Sequence, residues 1–127
     1  RRALVVHGHD GLDELTITGL SRAALWDGHK VEELEVDPRA LGLQLHPIAS
    51  IAGGDPAHNA SVIRAVLSGE RGAAADVVQL NAGAALWVGE AVDSLSAGVQ
   101  EAGDVLRSGK ALQTLESLAQ LTQELAP

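Results

Sequence analysis

The densest group of side chains able to do chemistry lies near the start of the chain, in Val5-Val6-His7-Gly8-His9-Asp10-Gly11-Leu12-Asp13-Glu14. Asp10, Asp13 and Glu14 put three carboxylates within five residues, and the imidazoles of His7 and His9 flank Gly8. Carboxylate oxygens suit magnesium, a hard cation that keeps several waters and is held by one or two carboxylates together with substrate phosphates. Neighbouring carboxylates on a regular strand point to opposite faces. In a loop they can converge on one ion, or each serve one of two. The plain alternative is that Asp10 and Glu14 are solvated loop charges and Asp13 caps a turn. Zinc suits the histidines poorly, because no third nitrogen or sulfur ligand stands at a familiar spacing.

The elements that position this stretch can be read from hydrophobic period and turn residues. Residues 3–6 are a short apolar run that reads as a buried strand, broken by Gly8 and Gly11. Leu15-Thr16-Ile17-Thr18 is a second strand candidate. Residues 22–26 and 30–36 flank Asp27-Gly28, the signature of a type I′ hairpin turn, with Val31, Leu34 and Val36 as the apolar positions of the second arm. Asp37-Pro38 and Asp55-Pro56 each pair a capping carboxylate with proline at the first helical position. Gly42 ends the first helix after about one turn. The second helix presents Ala60, Ile63, Val66 and Leu67 on one face and ends at Gly69. Residues 77–88 form an almost wholly apolar helix, expected to be buried on most sides, with Asn81 inside it as a side chain bonded to a loop carbonyl. Asp93 or Ser94 caps the next helix, which runs to about Ser108. A last amphipathic helix carries Leu112, Leu115, Leu118, Leu121 or Thr122, and Leu125. Gly53-Gly54-Asp55 resembles a phosphate loop in form, but Asp55 puts a negative charge where the anion would sit, which favours a structural cap.

At 127 residues the chain has the size of one domain. It has no Phe, Tyr, Met or Cys, and only Trp26 and Trp87 as aromatics, so Ala, Leu and Val must supply the core through close helix packing. The absence of cysteine excludes disulfides and thiolate metal sites and is compatible with the cytoplasm. The net charge of −8, with no cluster of Lys and Arg, argues against a nucleic-acid partner. No apolar run approaches the roughly 20 residues that span a bilayer, and no signal peptide is evident. The chain starts with Arg and runs directly into a strand, the pattern of a fragment or processed product. The expected fold class is α/β: a few strands and a hairpin followed by packed helices, in a sheet whose missing strands come from upstream sequence or a partner chain.

The segment from Val5 to Glu14 resembles the signature of anthranilate phosphoribosyltransferases, in which a strand leads into VHG, one variable residue and DGLDE. The resemblance continues in order through Asp27-Gly28, Asp37-Pro38, Gly53-Gly54-Asp55-Pro56 with Asn59-Ala60, Leu80-Asn81-Ala82 and Ala84-Ala85-Leu86, to the last helix. It covers the C-terminal part of that family. The resemblance implies the C-terminal portion of a large α/β domain of the nucleoside phosphorylase and phosphoribosyltransferase type. It implies transfer of a phosphoribosyl group from phosphoribosyl pyrophosphate to the amine of anthranilate, on the route to tryptophan. It also implies Asp13 and Glu14 as ligands of Mg2+, His7 and Gly8 near the substrates, and a homodimer in the complete protein. The family's N-terminal helical domain, its glycine-rich pyrophosphate loop and its anthranilate-contacting arginine and asparagine have no counterpart in residues 1–127, so the fragment alone is expected to be inactive. Two other readings remain open: a related nucleoside phosphorylase, and a non-catalytic structural or interaction fragment.

Overall fold

The computed structural model describes residues 1–126. Three strands, β1 (Ala3–Gly8), β2 (Ser21–Trp26) and β3 (Val31–Val36), form an antiparallel sheet in the order β1-β2-β3. Four helices follow: α1 (Pro56–Leu67), α2 (Ala73–Val88), α3 (Leu95–Ser108) and α4 (Lys110–Glu124). The expected succession of strands, hairpin and helices is therefore present.

Strand alternation decides which sheet positions are covered. Ser21, Ala23 and Leu25 of β2 face inward and are buried, with Leu4 and Val6 of β1 and Leu34 and Val36 of β3 on the same side. Ala3, Val5, His7, Arg22, Ala24, Trp26, Val31, Glu33 and Glu35 share the outer face through the register His7↔Arg22↔Glu35. Two expectations are corrected here. β1 is covered on one face only, and Val5 is 71% exposed. Val31 does not join Leu34 and Val36, because an odd position in β3 faces away from even ones; it lies exposed opposite Trp26.

The hairpin turn also differs from type I′, which needs positive φ at both central residues. Between the paired Trp26 and Val31, only Gly28 has positive φ (104°). Asp27 acts through its side chain, whose Oδ1 accepts from the backbone N–H of His29 (2.8 Å) and Lys30 (2.9 Å). This Asx-type turn replaces the backbone turn that the dipeptide suggested.

The cap expectations hold at Asp37, Asp55 and Ser94, whose side chains accept from the amides of Arg39, His58 and Ala97. The helix after Asp37 is one 3-10 turn, Pro38–Leu41, closed by Gly42. α1 packs through Val66, with Val62 and Leu67 partly buried, and leaves Ala60 and Ile63 exposed. Val66 and Leu67 are thus on the expected face, whereas Val62 takes the inward place expected of Ile63. α2 is buried along Ala75, Leu80, Gly83 and Ala84, whereas Val78, Ala82 and Ala85 reach the surface, so it is covered on one side. On α4, Leu112 and Leu115 are partly buried and Leu118, Leu121 and Leu125 are exposed.

The main core joins the inner sheet face to α2 and α3 through Leu15, Ile17, Ala23, Val36, Leu43, Leu80, Ala84 and Val99. Leu15-Thr16-Ile17-Thr18 is not a strand. Leu15 and Ile17 are fully buried, but their hydrogen-bonding partners are side chains and a loop amide in place of a neighbouring strand. The amides of Leu15, Thr16 and Thr18 donate to Asn81 Oδ1, Ser21 Oγ and Thr16 Oγ1, and Ile17 O accepts from His46 N. With these backbone groups satisfied in this way, the segment can be buried without a paired strand. At the other end of α2, the Arg2 guanidinium lies 5.1 Å from the Trp87 ring centroid and donates to Trp87 O, a cation placed at a helix C-terminus. Among the described residues no helix is long and apolar enough to cross a membrane.

Candidate functional site

β1 runs out at Gly8, and the loop turns at once. Gly8 N donates to Leu12 O (2.9 Å), Gly11 N donates to Gly8 O (3.0 Å), and His9 N donates to Leu20 O (3.1 Å). Glycine is required at position 8 by close approach: a Cβ there would sit 2.5 Å from Asp10 Oδ1 and 3.0 Å from Thr16 Cβ. Both backbone groups of Gly8 are therefore committed within the loop.

Asp10 is the internal anchor of the loop. Its Oδ1 accepts from Leu12 N (3.1 Å), and its Oδ2 accepts from Thr16 Oγ1 (2.5 Å) and Thr18 Oγ1 (2.6 Å). Burial by itself would raise the Asp10 pKa, but the hydrogen bonds from Thr16, Thr18 and the Leu12 amide outweigh it and hold the carboxyl below its ordinary value. A carboxylate whose oxygens are occupied in this way shapes the loop and has little left for an ion. Because its pKa is lowered on folding, Asp10 contributes stability at pH above the unfolded carboxylate pKa, and that contribution is lost as pH falls through the lowered folded value. Asp10→Asn is expected to cost about 2 kcal/mol near neutral pH, the order of one charge-assisted hydrogen bond. The variant should also flatten the acid limb of stability against pH, measured by urea unfolding of the complete protein across the acid range.

Among the described residues, Asp13 and Glu14 carry no comparable internal bonds. Asp13 is exposed and Glu14 is partly buried. Burial raises the Glu14 pKa, and the charges of Asp13 and then Asp10 raise it further. Among the described residues, none of the ion pairs formed involves either carboxylate. This donor set fits a hard divalent cation: two adjacent oxygen ligands, partial desolvation, and mutual repulsion that a cation would relieve. Among the described residues there is no group of three or more His, Asp or Glu side chains arranged to hold an ion. Two carboxylates suit magnesium, whose remaining positions go to water and phosphate oxygens.

The other residues singled out from sequence lie around this loop without joining the pair. His7 and His9 are exposed and, with Leu20, Ser21, Arg22 and Glu35, line a shallow depression at the strand end. The His9 ring covers Gly19, where a Cβ would meet its Cε1 at 2.5 Å. Gly53-Gly54-Asp55 is a cap: Asp55 holds the His58 amide, and the Asn59 side chain bridges Gly54 N and O. Asn81 is bonded to a loop, as expected, but to the amide and carbonyl of Leu15 together. Sequence reasoning assigns nothing to Thr16, Thr18 and Ser21. The signal of the two threonines is their alternation with apolar residues, which reads as a strand.

A three-stranded sheet covered by helices, with an acidic loop at a strand end, makes this chain an α/β scaffold. The chain belongs to the glycosyl transferase family, whose a/b-domain model matches residues 1–112. It is 48% identical over 126 residues to the anthranilate phosphoribosyltransferase of Rubrobacter xylanophilus, covering 98% of this chain and 37% of that one. It is 39% identical over 126 residues to the enzyme of the same name from Petrotoga mobilis, covering 99% and 37%. The crystal structure of anthranilate phosphoribosyltransferase from Thermus thermophilus superposes with a TM-score of 0.84 at 38% identity, over 91% of this chain and 34% of that one. The Saccharomyces cerevisiae enzyme in complex with PRPP and Mg superposes with a TM-score of 0.79 at 26% identity, over 89% and 33%. The chain thus spans little more than a third of the length of the relatives it matches.

Proposed function

We propose that the complete protein carrying this chain transfers the phosphoribosyl group of phosphoribosyl pyrophosphate to the amine of anthranilate. The products are phosphoribosyl anthranilate and pyrophosphate, in tryptophan biosynthesis. The observation that carries this reading is the run from His7 to Glu14 folded as an open strand-end loop, in a chain whose matched relatives are anthranilate phosphoribosyltransferases.

Asp13 and Glu14 are the residues that would hold Mg2+. When bound, the ion neutralises charge that develops on the departing pyrophosphate. The chain's own contribution is position: the loop is folded by its own hydrogen bonds, so the carboxylates are set before substrate arrives. The anthranilate amine is a neutral nucleophile and needs no strong general base. His7, exposed at the strand end beside Arg22, is the group offered to substrate, while Gly8 forms the turn beneath it. The surface for the rest of the pyrophosphate and for anthranilate belongs to the part of the relatives that residues 1–127 do not match. The working form is a cytoplasmic homodimer, with no nucleic-acid or membrane partner.

The test is a turnover assay of the complete protein with phosphoribosyl pyrophosphate, anthranilate and Mg2+. Formation of phosphoribosyl anthranilate that stops on chelation of the metal is expected. Phosphorolysis of a nucleoside, with no consumption of anthranilate, would overturn the reading in favour of the phosphorylase branch.

A further inference from the structure

We propose that Asn81 is the positioning residue of the carboxylate pair, fixing Asp13 and Glu14 from the centre of α2. This rests on the metal reading above. Asn81 lies 66 positions from Leu15, yet its amide engages both backbone groups of that residue: Oδ1 accepts from Leu15 N at 3.0 Å, and Nδ2 donates to Leu15 O at 2.9 Å. The second Nδ2 proton goes to Val77 O, one turn back on α2, at 3.0 Å. All three bonds are made to main chain, so together they fix the amide plane against the helix and the loop at once.

Leu15 is the residue immediately after Glu14, and its side chain is fully buried. The loop is therefore held on two sides of the pair. Asp10 ties Leu12 N, Thr16 and Thr18 on the loop side, and Asn81 ties Leu15 to the helix. Asp13 and Glu14 sit between these two fixed points. α2 is itself fixed by its contact with α3, where Gly83 meets Gly98 backbone to backbone. Removing the Asn81 amide leaves Leu15, the residue next to the pair, without the side-chain bonds that tie its backbone to α2, while the bonds at Asp10, Thr16 and Ile17 remain.

Residues that orient metal ligands without touching the metal typically change affinity by about 10- to 100-fold when lost. In the complete protein, Asn81→Ala and Asn81→Asp should weaken Mn2+ binding by about tenfold or more, read by electron paramagnetic resonance of the free ion. The Mg2+ requirement for turnover should rise in step, with much of kcat recovered at saturating metal. Asn81→Asp keeps shape and removes the donors, setting a carboxylate against Leu15 O and Val77 O. Unchanged Mn2+ affinity in a folded Asn81 variant would overturn the proposal. A measurement on the unaltered protein stands beside it should both variants fail to fold: in the metal-free state the Leu15 amide should already resist hydrogen exchange at the level of core amides. Free exchange at Leu15 until metal is added would also overturn it. Asp13→Asn separates the two readings. If that variant binds Mn2+ as the parent does while Leu15 stays protected, the metal assignment has failed and the clamp has not.

Discussion

Asp13→Asn and Glu14→Gln in the complete protein are each expected to lower Mg2+-dependent turnover by about a hundredfold or more, equivalent to about 2.7 kcal/mol of transition-state stabilisation. The reasoning is electrostatic. Both substitutions keep size and polarity but remove one of the two carboxylate charges on which the proposed Mg2+ binding rests. Asp13 is exposed and neither side chain is tied into the loop, so the fold should survive. Burial, and after it the charges of Asp13 and Asp10, raises the Glu14 pKa; Glu14→Gln removes the partly buried charge, and the variant should be no less stable than the parent. The comparison is steady-state kinetics against Mg2+ concentration, together with thermal unfolding. Full turnover at limiting Mg2+ would take the pair out of the mechanism. Collapse of stability would mean that the loop depends on these side chains in a way its hydrogen bonds do not suggest.

The largest effect on stability should come from Gly83→Ala. The α2–α3 crossing is so close that a Cβ on Gly83 would lie 2.5 Å from Val99 N, 2.6 Å from Val99 Cα and 2.8 Å from Gly98 C. A Cβ on Gly98 would likewise run into the carbonyl of Gly83. These neighbours are backbone, which cannot rotate aside as a side chain can. Overpacking of a core usually costs about 1–3 kcal/mol; with backbone on both sides the upper end or beyond is expected. The damage should also reach the site, since Asn81 lies two residues before Gly83 on the same helix. Chemical unfolding of Gly83→Ala against Gly53→Ala provides the scale. At Gly53 the first atom met is the Asn59 side-chain oxygen at 3.3 Å, and a small effect is expected.

The residues that fold each segment locally are legible in one dimension. Asp37, Asp55 and Ser94 cap helices because a short polar side chain next to the first turn can reach a free amide wherever the helix later docks. The hairpin is legible for the same reason, although its turn is not, because Asp27 offers both a backbone and a side-chain acceptor and the choice depends on the strand register. Leu15-Thr16-Ile17-Thr18 alternates as a strand does, and it is buried as a strand would be. Its partners include side chains and an amide from positions as distant as His46 and Asn81, which no local pattern encodes.

For the loop itself, the sequence determined the inventory: three carboxylates, two imidazoles and the glycines that let the chain turn. It also carried the resemblance that singles out Asp13 and Glu14. What the tertiary structure adds is which carboxylate the fold itself consumes. Asp10 is drawn inward because Thr16 and Thr18 return to meet it, whereas among the described residues Asp13 and Glu14 have no such partner and their repulsion is unrelieved. The same holds for Asn81: a polar residue in an apolar helix is visible from the sequence, but the backbone it grips is set by how α2 packs beneath the loop. Composition and local spacing fix what a segment offers, and long-range hydrogen bonds decide which of those groups is consumed by the fold and which remains for chemistry.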